Sequence, residues 1–209
     1  MPERVIVFLD YQNVYQGARH TFGFDRTPYW NGQFRPDLLG EHLTVDSPRD
    51  RELVQVRIYR GMPAYTADPK GNLACRRQQS VWRQSPKVKV INRPLKYPRG
   101  WPTSQAVGER PSEKSIDVAL AVDFATMAGS AYDVGILFST DNDLLPALEY
   151  VASLTAAGLP ALPRAEVAAW SVPKQHCPRL SINERRLYCH WIDRKAYDGM
   201  ADLRDYTKR

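Results

Sequence analysis

Two short apolar runs, Val5-Ile-Val-Phe-Leu9 and Val134-Gly-Ile-Leu-Phe-Ser139, each end at carboxylates: Asp10 follows the first, Asp141 and Asp143 follow the second. Continuous apolar runs of this length are the pattern of strands covered on both faces, as in a parallel sheet flanked by helices. In open α/β sheets the ligand crevice lies outside the carboxyl ends of the strands, where the strand order reverses. Acids far apart in sequence are therefore expected to meet on one rim. Asp117, at the opening of a predicted helix, is expected to join them.

The intervening sequence supports that architecture. Asp10-Tyr-Gln-Asn13 begins a turn and a helix running to about His20. Phe22 to Pro36, with Gly23, Pro28, Gly32 and Pro36, reads as a loop. It is dense in aromatics (Phe22, Phe24, Tyr29, Trp30, Phe34), which would serve either to stack bases or as a satellite hydrophobic cluster. Val54 to Tyr59 alternates and reads as a second strand. Leu73 to Gln84 is helical and Pro86 ends it. Val88 to Ile91 forms a third strand, with Lys87 and Lys89 on one face. Arg93 to Pro111 holds four prolines and reads as an extended segment. A helix over Ser115 to Met127, a strand over Tyr132 to Ser139, and a helix from about Leu144 to Ala157 stopped by Gly158 follow. Ala165 to Ser171 is a fifth strand, and Asn183 to Lys195 a C-terminal helix. Alternating strands and helices make this a parallel α/β domain.

Charge is distributed unevenly along the 209 residues. Lys70 to Arg99 carries nine Lys or Arg and no acid, whereas Gly100 to Ala165 carries three basic and eight acidic residues. The basic stretch, with Arg76, Arg77, Arg83, Lys87 and Lys89, is either a phosphate-binding surface or a solvated face. No run approaches the roughly 20 apolar residues that span a bilayer, and no export signal is read at the N-terminus. Three scattered cysteines, Cys75, Cys177 and Cys189, argue against a disulfide framework, so a cytoplasmic location is expected. His176-Cys177 and Cys189-His190 lack structural-zinc spacing, and ordinary packing is expected there.

Carboxylates a few ångströms apart repel unless a cation joins them. Mg2+ and Mn2+ take hard oxygen ligands from a few carboxylates and complete their shells with water and phosphate oxygens. Asp10, Asp117 and Asp141 are the expected ligands. Asp143 would ligate or orient water, and Asn13, a turn beyond Asp10, would donate to phosphate or water. Asp123 falls on another helical face and is expected to cap or pair. For any one of these aspartates, turn formation or helix capping is the competing role.

Three segments resemble the NYN domain, a branch of the PIN-like nucleases. These are Val5-Ile-Val-Phe-Leu-Asp-Tyr-Gln-Asn13, Lys114-Ser-Ile-Asp117 with Val118 to Asp123, and Ile136-Leu-Phe-Ser-Thr-Asp-Asn-Asp143, in the family's order. The turn departs from the family pattern at Thr140, where glycine is common, and at Leu144, where an aromatic is common. The resemblance implies a PIN-like, Rossmann-like parallel sheet of order 3-2-1-4-5 flanked by helices, and metal-dependent RNA cleavage. It implies metal binding by Asp10, Asp117, Asp141 and Asp143, support from Asn13, and phosphate contact by Lys114. The expected domain covers residues 1–172, with 173–209 a C-terminal helical extension.

The leading reading is a Mg2+- or Mn2+-dependent ribonuclease acting on RNA, with no membrane role and with a homodimer as a further expectation. The alternative is a non-catalytic RNA- or protein-binding module on the same fold. A phosphoryl-acceptor role for Asp10 would want an acid beside it, where Tyr11 and Gln12 stand.

Overall fold

Residues Glu3–Asp10 form β1, and the six from Val5 to Asp10 are all buried, as an uninterrupted apolar run in a parallel sheet requires. The computed structural model describes residues 1–102, 109–113, 115–156, 163–175, 177–183 and 186–208, with backbone only at 155 and 156. β1 pairs in parallel with β2 (Arg51–Met62) on one side and β4 (Val134–Phe138) on the other. β3 (Val88–Pro94) extends the β2 side, and β5 (Arg164–Trp170) and β6 (Cys189–Ile192) extend the β4 side. The order is 3-2-1-4-5-6, all parallel, so the predicted 3-2-1-4-5 sheet is present with one more strand. The direction of winding reverses between β1 and β4.

Helices cover both faces. One face carries α1 (Tyr11–Thr21), α2 (Pro36–Val45), α3 (Pro69–Trp82) and α6 (Arg194–Met200), around a core that includes Val7, Leu39, Leu43, Trp82 and Trp170. The other face carries α4 (Ile116–Thr126) and α5 (Leu145–Ala156), packed on Ile6, Phe8, Tyr59 and Val167. Gly40 lets α2 approach β2 closely, since a Cβ there would lie 2.3 Å from Val56 Cγ2.

Three local expectations needed revision. α2 was not anticipated, although Pro36 at its first position, Asp37 in its first turn and buried Leu39 and Leu43 four apart are helix signals. β2 is twelve residues long, and Arg57 is buried on it rather than facing solvent. Its guanidinium donates to Tyr59 Oη at 2.9 Å and pairs with Asp123, which also accepts from Tyr59 Oη at 2.7 Å. The helix expected over Asn183 to Lys195 is instead β6, then a helix only from Arg194, with Asp193 as its cap. His190 and Ile192 are buried while Trp191 is exposed, a two-residue period that a strand satisfies and a helix does not. Gly158 and His176 lie outside the described residues.

Most aromatics of the Phe22 to Pro36 loop serve packing. Phe22 and Phe34 are buried, and Phe24 packs on the same core. Arg19, buried at the end of α1, organises the loop by donating to the carbonyls of Pro28, Asn31 and Phe24 at 2.9, 2.7 and 2.5 Å. Cys75, Cys177 and Cys189 are free thiols. No described helix is long and apolar enough to cross a membrane.

Candidate metal centre

Asp10 ends β1 and caps α1, so its carboxylate stands at the carboxyl rim where the winding reverses. Both of its oxygens are fixed: Oδ1 accepts from the Asn13 N–H at 3.3 Å, and Oδ2 from the Ser139 hydroxyl at 3.0 Å. Ser139, fully buried just past β4, also accepts from the Asp141 N–H at 3.1 Å, tying the two strand ends together. Asp141 caps a 3-10 turn over Asn142–Leu144 by accepting from the Asp143 N–H at 2.9 Å. Asp117 arrives from the first turn of α4, where the helix dipole favours a carboxylate. The chain enters that helix through Ser115 in a left-handed conformation, φ 64°.

Asp10, Asp117 and Asp141 each offer a carboxylate oxygen within 4.8 Å of the others. This is the one such group among the described residues. Its electrostatics are those of a site short of positive charge. Burial, with Asp117 and Glu113 adding to it, raises the Asp10 pKa to about 7 against the pull of its two hydrogen bonds. Burial also raises Asp117, with Asp141 and Asp143 pushing in the same direction. Three hard oxygen donors, one of them desolvated and held by hydrogen bonds on both oxygens, fit a divalent cation: it would lower the cost of ionising all three.

The other anticipated residues fall into separate places. Asp143 is exposed on the 3-10 turn, outside the 4.8 Å group but close enough to act on Asp117. Asn13 Oδ1 accepts from both the N–H and the hydroxyl of Thr140, each at 3.0 Å, so this side chain fixes the turn that carries Asp141. Lys114 lies outside the described residues. Asp123 pairs with Arg57, which together with the Tyr59 hydrogen bond outweighs its burial and holds its pKa low.

The basic residues run along β3 and α3 rather than around the rim. In register, Asp10 pairs with Tyr59 and Tyr59 with Ile91, whereas Lys89 lies beside Arg57 and Lys87 precedes the strand, on the side away from Asp10. Arg83 caps the far end of α3, and Arg76 is exposed in its middle. Arg77 donates to the carbonyls of Tyr206, Thr207 and Lys208. Along β2, β3 and the chain just past β3, the cations beyond the Asp10 row are instead Arg60, Arg93 and Lys96.

Sequence reasoning also passed over Glu113. It is brought to the rim by paired hydrogen bonds of 2.9 Å between Lys96 and Ser112, and its Oε1 accepts from the Gly61 N–H at 2.7 Å. A Cβ on Gly61 would lie 2.6 Å from that oxygen. Burial raises the Glu113 pKa, the Gly61 N–H and Arg60 oppose it, and Asp117 adds to it. The sequence held only one hint, its place directly before Lys114.

The sequence model of the NYN domain matches residues 4–156, most of the chain. The protein belongs to the NYN domain family. A search of curated proteins found no match. Among solved structures, the chain is similar to a protein of unknown function from Vibrio parahaemolyticus, with 19% identity and a TM-score of 0.50 over 80% of this chain and 81% of that one. At that identity the likeness bears on the fold alone. NYN membership and the aspartate group together give a nuclease-like domain with a candidate divalent-metal site. The family match ends at residue 156, so the tip of the sheet formed by β5, β6 and α6 lies beyond it.

Proposed function

We propose that this NYN domain is a metal-dependent ribonuclease that uses Mg2+ or Mn2+ to hydrolyse RNA phosphodiester bonds. The observation that carries the proposal is the convergence of Asp10, Asp117 and Asp141 within 4.8 Å at the switch point of a parallel sheet. A protein that only gripped a polyanion would gain nothing by gathering carboxylates there. The set is complete within one chain, so catalysis is assigned to the single chain and needs no homodimer.

Asp10, Asp117 and Asp141 would hold the ion, and Asp143 would orient water at its edge. When bound, the cation supplies Lewis-acid stabilisation of the charge that develops on the phosphodiester and acidifies water. Ser139 and Asn13 keep Asp10 and the Asp141 turn in place, so little reorganisation is needed when substrate arrives. Arg93 and Lys96, beyond the Asp10 row, are the side chains best placed to meet backbone phosphates. Lys114 is proposed as a phosphate contact on the family pattern, and Arg76, Arg83, Lys87 and Lys89 as an outlying track for a longer RNA. Residues 1–172 are proposed as the NYN unit and 173–209 as a C-terminal extension that adds β6 and α6 to its sheet and core, and the compartment consistent with free thiols is the cytoplasm.

The test is cleavage of defined single-stranded and structured RNAs with Mg2+, Mn2+ or EDTA. Asp10→Asn and Asp141→Asn are each expected to abolish metal-dependent cleavage while retaining the wild-type circular dichroism spectrum. Full activity of either variant, or full activity in excess EDTA, overturns the mechanism. RNA binding without turnover under every metal condition would favour the binding-module alternative.

A further inference from the structure

Beside the aspartates lies a cavity of about 400 Å3 that the metal chemistry does not use. It is built where β1 and β2 end. Tyr11 and Gln12 follow Asp10, Arg60 follows the residue paired with Asp10, and Glu113, whose charge acts on both Asp10 and Asp117, lines it as well. The volume falls in the range of about 300–1,000 Å3 typical of small-molecule sites.

Its lining is mostly apolar and aromatic, with a few polar side chains set into it. The Tyr15 ring runs parallel to that of Tyr11, 9° apart with centroids 6.1 Å distant. The Arg60 guanidinium is held as a plane 4.6 Å from the Tyr11 centroid, and its Nη1 donates to Gln78 Oε1 at 2.7 Å. Gln78 in turn donates to Tyr11 Oη at 2.8 Å and to Gln33 Oε1 at 3.3 Å. Arg60 Nε is buried with no hydrogen-bond partner among the described residues.

One further wall residue is Tyr206, from the tail beyond the family match. Arg77 donates to the Tyr206 carbonyl at 2.9 Å, and Tyr29 Oη donates to Asp205 and lies 3.1 Å from Thr207 Oγ1. The Tyr206 hydroxyl donates to Asp202 Oδ2 at 2.5 Å. The tail is thus latched over the site from both α3 and the Tyr29 loop.

We propose that this cavity is a base subsite: it receives one unstacked base of single-stranded RNA, the phosphate of that nucleotide lying toward the aspartates. Proteins that read single-stranded RNA stack splayed bases on aromatic rings or guanidinium planes and hydrogen-bond the base edges. The half-buried Tyr15 ring, the exposed Tyr29 ring and the Arg60 plane provide the first; the exposed Gln12 amide, which both donates and accepts, provides the second. The subsite rests on the ribonuclease reading for its purpose but not for its test.

The test is nucleoside binding to the full chain in EDTA. Adenosine, guanosine, cytidine, uridine and, as the control without a base, ribose are titrated by NMR. At least one nucleoside is expected to bind tenfold or more tightly than ribose, and Tyr15→Leu and Tyr206→Ala to weaken it at least tenfold. Gln12→Ala, at an exposed position, serves if those variants do not fold, and is expected to weaken binding at least threefold. Equal binding of ribose and all four nucleosides overturns the subsite, as do folded variants with wild-type affinity. Asp10→Asn is expected to keep nucleoside binding. Nucleoside binding by a protein that never cleaves RNA would sink the nuclease reading alone; cleavage by a protein blind to nucleosides would sink the subsite alone.

Discussion

Replacing Asp10 with asparagine should make the metal-free protein more stable at neutral pH, although it removes a central site residue. In the folded protein the Asp10 pKa stands at about 7, against 3.8 for a free aspartate, with burial the leading cause. A carboxyl group whose folded pKa is raised keeps its contribution in full below the unfolded pKa and loses it as pH climbs through the folded one. The loss therefore accumulates between about pH 4 and pH 7. At about 1.36 kcal/mol per pKa unit the ceiling is about 4 kcal/mol, and relaxation of the site brings a realistic figure to about 2–4 kcal/mol. Asparagine has the same shape, can accept from the Asn13 N–H and can donate to Ser139 Oγ, so the two hydrogen-bonded positions remain filled. For a chain of this size each kcal/mol moves the melting temperature by about 2–4 °C. In EDTA at pH 8 the variant is expected to melt roughly 5–15 °C above wild type, and at pH 4.5 the difference should shrink to about a quarter of that. Mg2+ or Mn2+ should raise the wild-type melting temperature at pH 8 and leave the variant unmoved, since only a ligand of the folded state stabilises it. Thermal melts from pH 4.5 to 8, with and without metal, supply the data. Parallel pH profiles for the two proteins in EDTA would refute the reasoning.

Other residues give sharper contrasts. Asp123→Asn should lower stability by about 1–3 kcal/mol in denaturant unfolding, because it leaves buried Arg57 without its countercharge, while Mn2+ affinity stays at the wild-type value. A loss of Mn2+ affinity would instead put Asp123 in the site. At the far end of the sheet, burial opposes ionisation of Glu166, but its contacts with His190 at 2.8 Å and Arg51 at 2.6 Å overcome that and hold its pKa at about 2. Glu166→Gln should therefore cost about 3–5 kcal/mol at pH 7. Because this pKa is depressed, its contribution is present above pH 4.5 and is lost as pH falls toward 2, so the penalty should shrink in acid melts. Arg93→Ala with Lys96→Ala should weaken RNA binding more than Arg83→Ala with Lys87→Ala, and should flatten its salt dependence by about two counterions; equal effects in filter binding would reject the placement of the rim cations.

Apolar continuity made much of the fold legible. Val5 to Leu9 and Val134 to Phe138 can be buried on both faces only in a covered parallel sheet, and a carboxylate at the end of such a run must emerge at the carboxyl rim. Neighbourhood was harder to read. Lys87 and Lys89 belong to a basic stretch that could be read as a phosphate-binding surface, yet strand register sets them below the Asp10 row. Arg57 looked like the solvent face of an alternating strand, but α4 covers that face and supplies Asp123 to pair with it. The short β6, only Cys189–Ile192, gave too little period-two signal to displace a helix reading.

By itself the sequence determined the parallel α/β class, the NYN motifs and the identity of the acids, since these follow from local apolar runs and from the chemistry of each side chain. Tertiary structure alone decided that Asp10, Asp117 and Asp141 stand within one cation's reach, that Glu113 and Arg60 join their surroundings, and that the C-terminal tail walls the adjoining cavity. Those facts depend on crossover geometry and strand register, which bring residues more than a hundred positions apart to one point, and no local pattern encodes a distance of that kind.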